Sequence, residues 1–207
     1  MSAPAHAARL LTLAAMLVLV CGFSIRCQAQ RATSESDWPP LDAYASKSPV
    51  MIEVINAHVT VGRHYHSVFL RVYSDRTAEC HYRRWGIEGE KEKVRIKKLA
   101  PAEFENLRDV LGAPELLRVN QRYGLLGWVV DSWMTWEIDI PRPDAVQRIA
   151  VDNFGRGAGQ GLEKAYPTAL VRLGCTIQKL RREVYGVDSG MDTSDVMRAC
   201  RSFTARR

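Results

Sequence analysis

The sequence predicts an α+β domain: an antiparallel sheet of about six strands, from two hairpins plus flanking strands, covered by two main helices, with a short C-terminal helix. Residues 67–85 and 131–153 each alternate apolar and polar positions across a short turn, the pattern of a half-buried hairpin. Residues 167–185 instead repeat apolar side chains at spacings of three and four, through Leu170, Leu173, Ile177, Leu180 and Val184.

In chain order, Arg9, the 14-residue apolar run Leu10–Phe23 and then Cys27-Gln28-Ala29 have the layout of a secretory signal peptide. Residues 1–29 are assigned to it, with cleavage after Ala29. A bilayer-crossing helix needs about 20 apolar residues, which argues against a permanent anchor. Lipid attachment at Cys21 is disfavoured by the bulky Leu19-Val20 before it. Residues 30–48 are polar and contain Pro and Ser, and read as a flexible leader. The domain proper is assigned to residues 49–186 and a tail to residues 187–207.

The first strand is expected over Val50–Ile55, which is rich in β-branched residues. In the next, Val68, Leu70 and Val72 point one way and Phe69, Arg71 and Tyr73 the other. Ser74-Asp75-Arg76 turns the chain into a return strand from Thr77 to Trp85, with Ala78, Cys80 and Tyr82 on one face and Glu79 and His81 on the other, outward one. Matching the apolar sets pairs Val72 with Ala78, Leu70 with Cys80 and Val68 with Tyr82, and sets Arg71 opposite Glu79. Lys93–Lys98 is expected to bury Val94 and Ile96 and to expose Lys93, Arg95 and Lys97.

A helix opens at Leu99-Ala100-Pro101, carries Phe104, Leu107 and Leu111 on one face, and stops at Gly112 and Pro114. Residues 116–130 are irregular. In the second hairpin Ser132, Met134, Trp136, Ile138 and Ile140 share a face, Pro141-Arg142-Pro143-Asp144 turns, and the return runs from Ala145 to Asn153. Pairing Ile140 with Ala145 puts Trp136 opposite Ile149 and Glu137 opposite Arg148. After the long helix, Thr193–Phe203 forms a short closing helix with Val196, Cys200 and Phe203 on one side.

Removing residues 1–29 takes away Arg9 and Arg26 and no acidic residue, so the formal charge falls from +6 to +4. Basic and acidic residues interleave rather than forming a block, which argues against nucleic acid; an anionic envelope surface or a protein is the expected partner. Three cysteines remain. Cys175 lies two residues from both Leu173 and Ile177, at the rim of the helix stripe, and Cys200 shares the apolar side of the tail, so a Cys175–Cys200 disulfide is expected, with Cys80 free and buried.

The histidines of the mature chain, His58, His64, His66 and His81, crowd into positions 58–81. His64 and His66 share a strand face and are the candidate metal ligands, but the predicted register sets Cys80 about 13 Å from His66, too far to converge, so no metal site and no cofactor is expected. The glycines at 155, 157, 159 and 161 follow a strand and precede a helix, yet fit neither GxGxxG nor a P-loop. No Gly-x-Ser-x-Gly or His-Glu-x-x-His is present, and no catalytic residue is assigned. Asp131-Ser132 reads as a polar strand start, and Glu137 and Asp139 as a solvated carboxylate pair beside Arg148. Tyr123, Trp128, Trp133 and Trp136 gather around the second hairpin, with Trp136 in the core and Trp133 on the polar face.

Val68-Phe69-Leu70-Arg71-Val72-Tyr73-Ser74-Asp75, the strand ending in Tyr82, Leu99-Ala100-Pro101-Ala102-Glu103-Phe104, Tyr123 followed by Asp131, and Pro167-x-x-Leu170-x-x-Leu173-x-x-x-Ile177 resemble an uncharacterised exported bacterial domain family of unknown function. Members of that family often carry two close cysteines and a proline where this chain has His64-Tyr65-His66. The resemblance implies a fold and an address but no activity. The residues point to a periplasmic or secreted, non-catalytic binding or accessory module; the alternative is a metal-binding protein using His64 and His66, and the third reading a hydrolase without a familiar motif.

Overall fold

The computed structural model describes residues 44–60, 63–82, 93–119, 121–124, 132–154, 162–186 and 194–205, with backbone alone at 59–60, 63–65, 82, 132–133, 194–195 and 204–205. The expected signal peptide and most of the expected leader, the glycine loop 155–161, Trp128, Asp131 and the side chains of His64, Ser132 and Trp133 lie outside the described residues.

The strands are β1 (Val50–Thr60), β2 (Arg63–Tyr73), β3 (Thr77–Tyr82), β4 (Lys93–Lys98), β5 (Arg122–Tyr123), β6 (Ser132–Pro141) and β7 (Val146–Asp152). The helices are α1 (Pro101–Gly112), α2 (Leu162–Ala165), α3 (Thr168–Tyr185) and α4 (Ser194–Ala205), with a 3₁₀ turn at Leu116–Arg118. Among the described residues one seven-stranded sheet runs in the order β4-β3-β2-β1-β6-β7-β5. The α+β class holds, but the sheet has seven strands rather than about six and is mixed, because β5 joins β7 in parallel. β5 is two residues long, too short to carry a periodicity, and it lies in the stretch read as irregular.

The first face of the sheet is apolar. Ile52, Val54, Leu70, Val72, Ala78, Cys80, Trp136, Ile138, Ile140, Ile149 and Val151 form the core with Leu107 of α1 and Leu170, Leu173, Ile177 and Leu180 of α3. Gly174 lets α3 approach closely: an added Cβ would lie 2.2 Å from the Phe154 ring, which stacks on Trp136 at 4.9 Å. Cys175 of α3 and Cys200 of α4 are joined, with Cα atoms 5.5 Å apart, and Cys200 and Phe203 of α4 are buried.

Hairpin β6–β7 keeps its expected faces but not its expected register. Trp136 faces Val151, Ile138 faces Ile149 and Asp139 faces Arg148, a slip of two residues from the predicted pairs. The turn is the cause: Arg142 N–H donates to Ala145 O (2.8 Å), so the loop closes on Arg142 and Ala145 rather than on Ile140 and Ala145. Alternation has period two and cannot distinguish registers that differ by two. The Arg142 and Gln147 side chains then fasten this turn to α1 and the 3₁₀ turn. Arg142 donates to Gln147 Oε1 and Leu111 O, and Gln147 Nε2 donates to Leu116 O and Val119 O.

Hairpin β2–β3 has the expected register at Arg71–Glu79 and Val72–Ala78, but the ladder does not extend to Leu70–Cys80 or Val68–Tyr82. A β-bulge interrupts it. On β1, Val54 faces Leu70 and the next residue, Ile55, faces Val68, leaving Phe69 without a partner opposite. Val68 therefore shares the second face with Glu53, Ile55 and Arg71, contrary to the predicted grouping. Phe69 packs its ring 4.8 Å from Trp136, among the core residues. Arg181 of α3 fills the interruption, donating to the carbonyls of Phe69 and His81 and lying over the Phe69 ring at 4.0 Å.

Strand β4 is reversed relative to expectation. Its pairs with β3 are Cys80–Arg95 and Ala78–Lys97 on the helix side, and Glu79–Ile96 and His81–Val94 on the second face. Val94 and Ile96 are 47% and 59% exposed, not buried.

Candidate functional site: the second face at β3 and the β4 edge

The second face of the sheet changes character along its width. Over β6–β7, Glu137 and Arg148 are exposed and Asp139 is half-buried. Over β2–β3 it is closed: Arg71 is 0% exposed, and Tyr73, Glu79 and His81 are buried with it.

Arg71 organises this closed region. Its Nε donates to Glu53 Oε1 (2.6 Å), its Nη2 also pairs with Glu53, and its Nη1 pairs with Glu79. The Tyr44 ring covers the guanidinium at 4.3 Å, a cation–π arrangement. Ala45 N–H donates to both Tyr73 Oη and Glu79 Oε2 at 2.9 Å, so residues read as leader are pinned across β2 and β3. His81 Nε2 lies 4.0 Å from Glu79 Oε1. Burial opposes the charge on Arg71, but the hydrogen bond and attraction of Glu53, with Tyr73 and Glu79, outweigh it, and its pKa lies above the ordinary value. For the Tyr73 hydroxyl burial acts the other way and raises the pKa.

The cluster continues laterally into β4, since Glu79 neighbours Ile96 and His81 neighbours Val94. Every residue of β4 is exposed, and among the described residues β4 ends the sheet order. Its helix-side positions, Lys93, Arg95 and Lys97, are all cationic. Lys97 lies 3.6 Å from Glu183 of α3, and Lys98 2.9 Å from Asp75 in the β2–β3 turn. The hydrogen bond from Lys98, with the Thr77 N–H, pulls the Asp75 pKa well below the usual carboxylate range.

Of the residues singled out from sequence, His64 and His66 share a strand face, as expected. His66 is exposed opposite Ala57, and His58 pairs with Tyr65 and Met134. His64 sits opposite Val59. His81, expected to face outward, is on the second face but buried, with its Nε2 4.0 Å from Glu79 Oε1. Among the described residues no three His, Cys, Asp or Glu side chains form a group able to hold a metal. Burial pushes the free Cys80 thiol up to about 12 despite the nearby Arg181, so it is a poor nucleophile at neutral pH. Arg148 meets Asp139 rather than Glu137, at 3.7 Å.

Two features were missed. The signal for the first was Arg71 within Phe69-Leu70-Arg71-Val72-Tyr73, a charge facing Glu79 in a run with no other hydrophilic side chain. The signal for the second was Lys-Val-Arg-Ile-Lys-Lys, a pattern suited to a sheet edge rather than an interior strand.

No helix of the described residues is long and apolar enough to cross a membrane. No protein-family model matches this chain, and no curated protein matches it.

Proposed function

We propose that this protein is an exported, non-catalytic binding or accessory module of the cell envelope or secreted fraction, and that it binds through the β4 edge and the second face beside it. The observation that supports this reading is β4 itself. It ends the sheet, and it presents Val94 and Ile96 side by side, each about half exposed, next to a charged cluster whose members are committed to one another. Exposed apolar side chains matter when they adjoin each other on an element with unused pairing capacity. The charged cluster acts as a rigid floor: Arg71 bridges Glu53 and Glu79, and Tyr44 and Ala45 hold them in place. Export is supported by Arg9, the Leu10–Phe23 run and Cys27-Gln28-Ala29.

Two measurements test this reading. Mass spectrometry of the native product should place its N-terminus at or near Gln30; an intact Met1 protein in the cytoplasm would refute export. A photo-crosslinking amino acid at position 94 or 96 should give a discrete adduct in cells, whereas one at the exposed Asp144, in the β6–β7 turn, should not. Equal labelling at all three positions, or none at 94 and 96, contradicts the binding role.

A further inference from the structure

Resting on the binding reading above, we infer that β4 accepts an eighth strand whose chemistry is specific: an extended peptide segment alternating acidic and apolar residues. A strand pairing with β4 has its side chains in register with those of β4, because partners across a ladder share a face. On the second face the incoming residues lie beside Val94 and Ile96 and gain by being apolar. On the helix side they lie beside Lys93, Arg95 and Lys97 and gain by being acidic.

The same geometry disfavours a second copy of this chain. An antiparallel β4–β4 pair that keeps both faces continuous sets Arg95 against Arg95 and Lys93 against Lys97. Like charges directly opposite destabilise a ladder. Edge lysines commonly block self-pairing; here they also select the charge of what can pair. The Lys97–Glu183 and Lys98–Asp75 ion pairs do not remove this preference, since all four side chains are at least a third exposed and such pairs exchange at little cost. The main-chain bonds of an added strand supply affinity, and the alternation supplies specificity.

The test uses the full mature chain and a labelled acetyl-Gly-Glu-Val-Glu-Val-Glu-Gly-amide peptide, with binding read by anisotropy and its location by amide hydrogen exchange. The expected result is saturable binding that weakens with salt and adds protection to β4 amides. Arg95→Glu should weaken it about tenfold, the consequence of turning one favourable cross-strand pair into a repulsive one. Arg95 is exposed, so the variant should fold, and circular dichroism checks this; the protection pattern of the unmodified protein is decisive independently of any variant. Equal binding of a Lys-Val-Lys-Val-Lys or Glu-Glu-Glu-Val-Val peptide, or binding without β4 protection, overturns the inference. So does β4 protection that grows with protein concentration in the absence of peptide, which would identify a second copy as occupant. A crosslinked adduct at position 94 in cells together with no acidic-peptide binding leaves the binding module standing and removes only the acidic strand; peptide binding without any adduct does the reverse.

Discussion

The two hairpins contrast in the fate of their charges. In β6–β7, Arg148 and Asp139 meet at 3.7 Å with Arg148 79% exposed, on a face that remains in solvent. In β2–β3 the equivalent cross-strand pair, Arg71 and Glu79, is sealed from water, with Glu53 and Tyr44 completing the enclosure. Both hairpins alternate in sequence, and both carry a basic–acidic pair on the polar face. Alternation therefore reports which residues share a face and not whether that face is wet. A segment outside both hairpins contributes to the difference: Tyr44 lies over Arg71, and Ala45 N–H donates to Tyr73 and Glu79.

The largest effect follows from this contrast. Arg71→Ala leaves Glu79 buried without its counter-charge and should cost about 3–5 kcal/mol in a urea or guanidinium titration. Arg148→Ala should cost less than about 0.5 kcal/mol. Similar losses for the two variants would break the comparison.

The cross-link between α3 and α4 belongs to neither hairpin. Replacing Cys175 and Cys200 together by Ala opens a loop of sequence separation 25 and should cost roughly 3.5 kcal/mol in the chain-entropy account. The gap between Arg71→Ala and Arg148→Ala should persist in that background; its disappearance would mean that the enclosure depends on α4.

Arg181→Met sharpens the role of the bulge. It retains much of the apolar contact with Phe69 but removes the Arg181 donors to the carbonyls of Phe69 and His81, for an expected loss of about 1–3 kcal/mol by thermal or chemical unfolding. No loss would show that those carbonyls find other donors and that the bulge does not need α3.

These particulars show how much was readable beforehand. The α+β class, α1, α3 and the shared face of Val196, Cys200 and Phe203 follow from periodicity, which burial imposes locally. The Arg71–Glu79 pairing followed because charge and apolar matches agreed. In β6–β7 the same reasoning slipped by two residues, because the turn geometry around Arg142 decides between registers that alternation leaves equal. The bulge at Phe69, the enclosure by Tyr44 and the outward Val94 and Ile96 were not legible, since each depends on what packs against the strand from elsewhere in the chain. The histidine crowding drew attention because of composition, whereas the ladder puts His66 and His58 on opposite faces of the sheet.

The smallest effects concern pH, and the two hairpins should respond in opposite senses. Asp75, in the β2–β3 turn, has its pKa lowered by Lys98 and the Thr77 N–H. Its contribution is present above the ordinary aspartate value of about 3.9 and is lost as pH falls through the lower folded value. Asp139, on β6, has its pKa raised by burial and by Glu53 and Glu137, against the pull of Arg148. The folded state then favours its protonated form, so its contribution is greatest below the ordinary value and fades as pH rises through the folded one. Asp75→Asn should therefore lower the Tm at pH 7, whereas Asp139→Asn should leave it unchanged or raise it slightly. A Tm raised by Asp75→Asn, or clearly lowered by Asp139→Asn, would contradict the assigned environments.

The central claim is that β4, the sheet's edge among the described residues, is open to pairing beside a closed charged floor, and residue-resolved amide hydrogen exchange of the protein alone tests it most directly. An edge strand has alternate amides bonded to its single neighbour and the intervening ones in water. The account predicts that protection along Lys93–Lys98 alternates between amides bonded to β3 and amides exchanging near the rate of an unstructured peptide, while β1, between β2 and β6, is protected throughout its centre. Uniform, core-like protection along β4 would show that the edge is already covered, and would contradict the account.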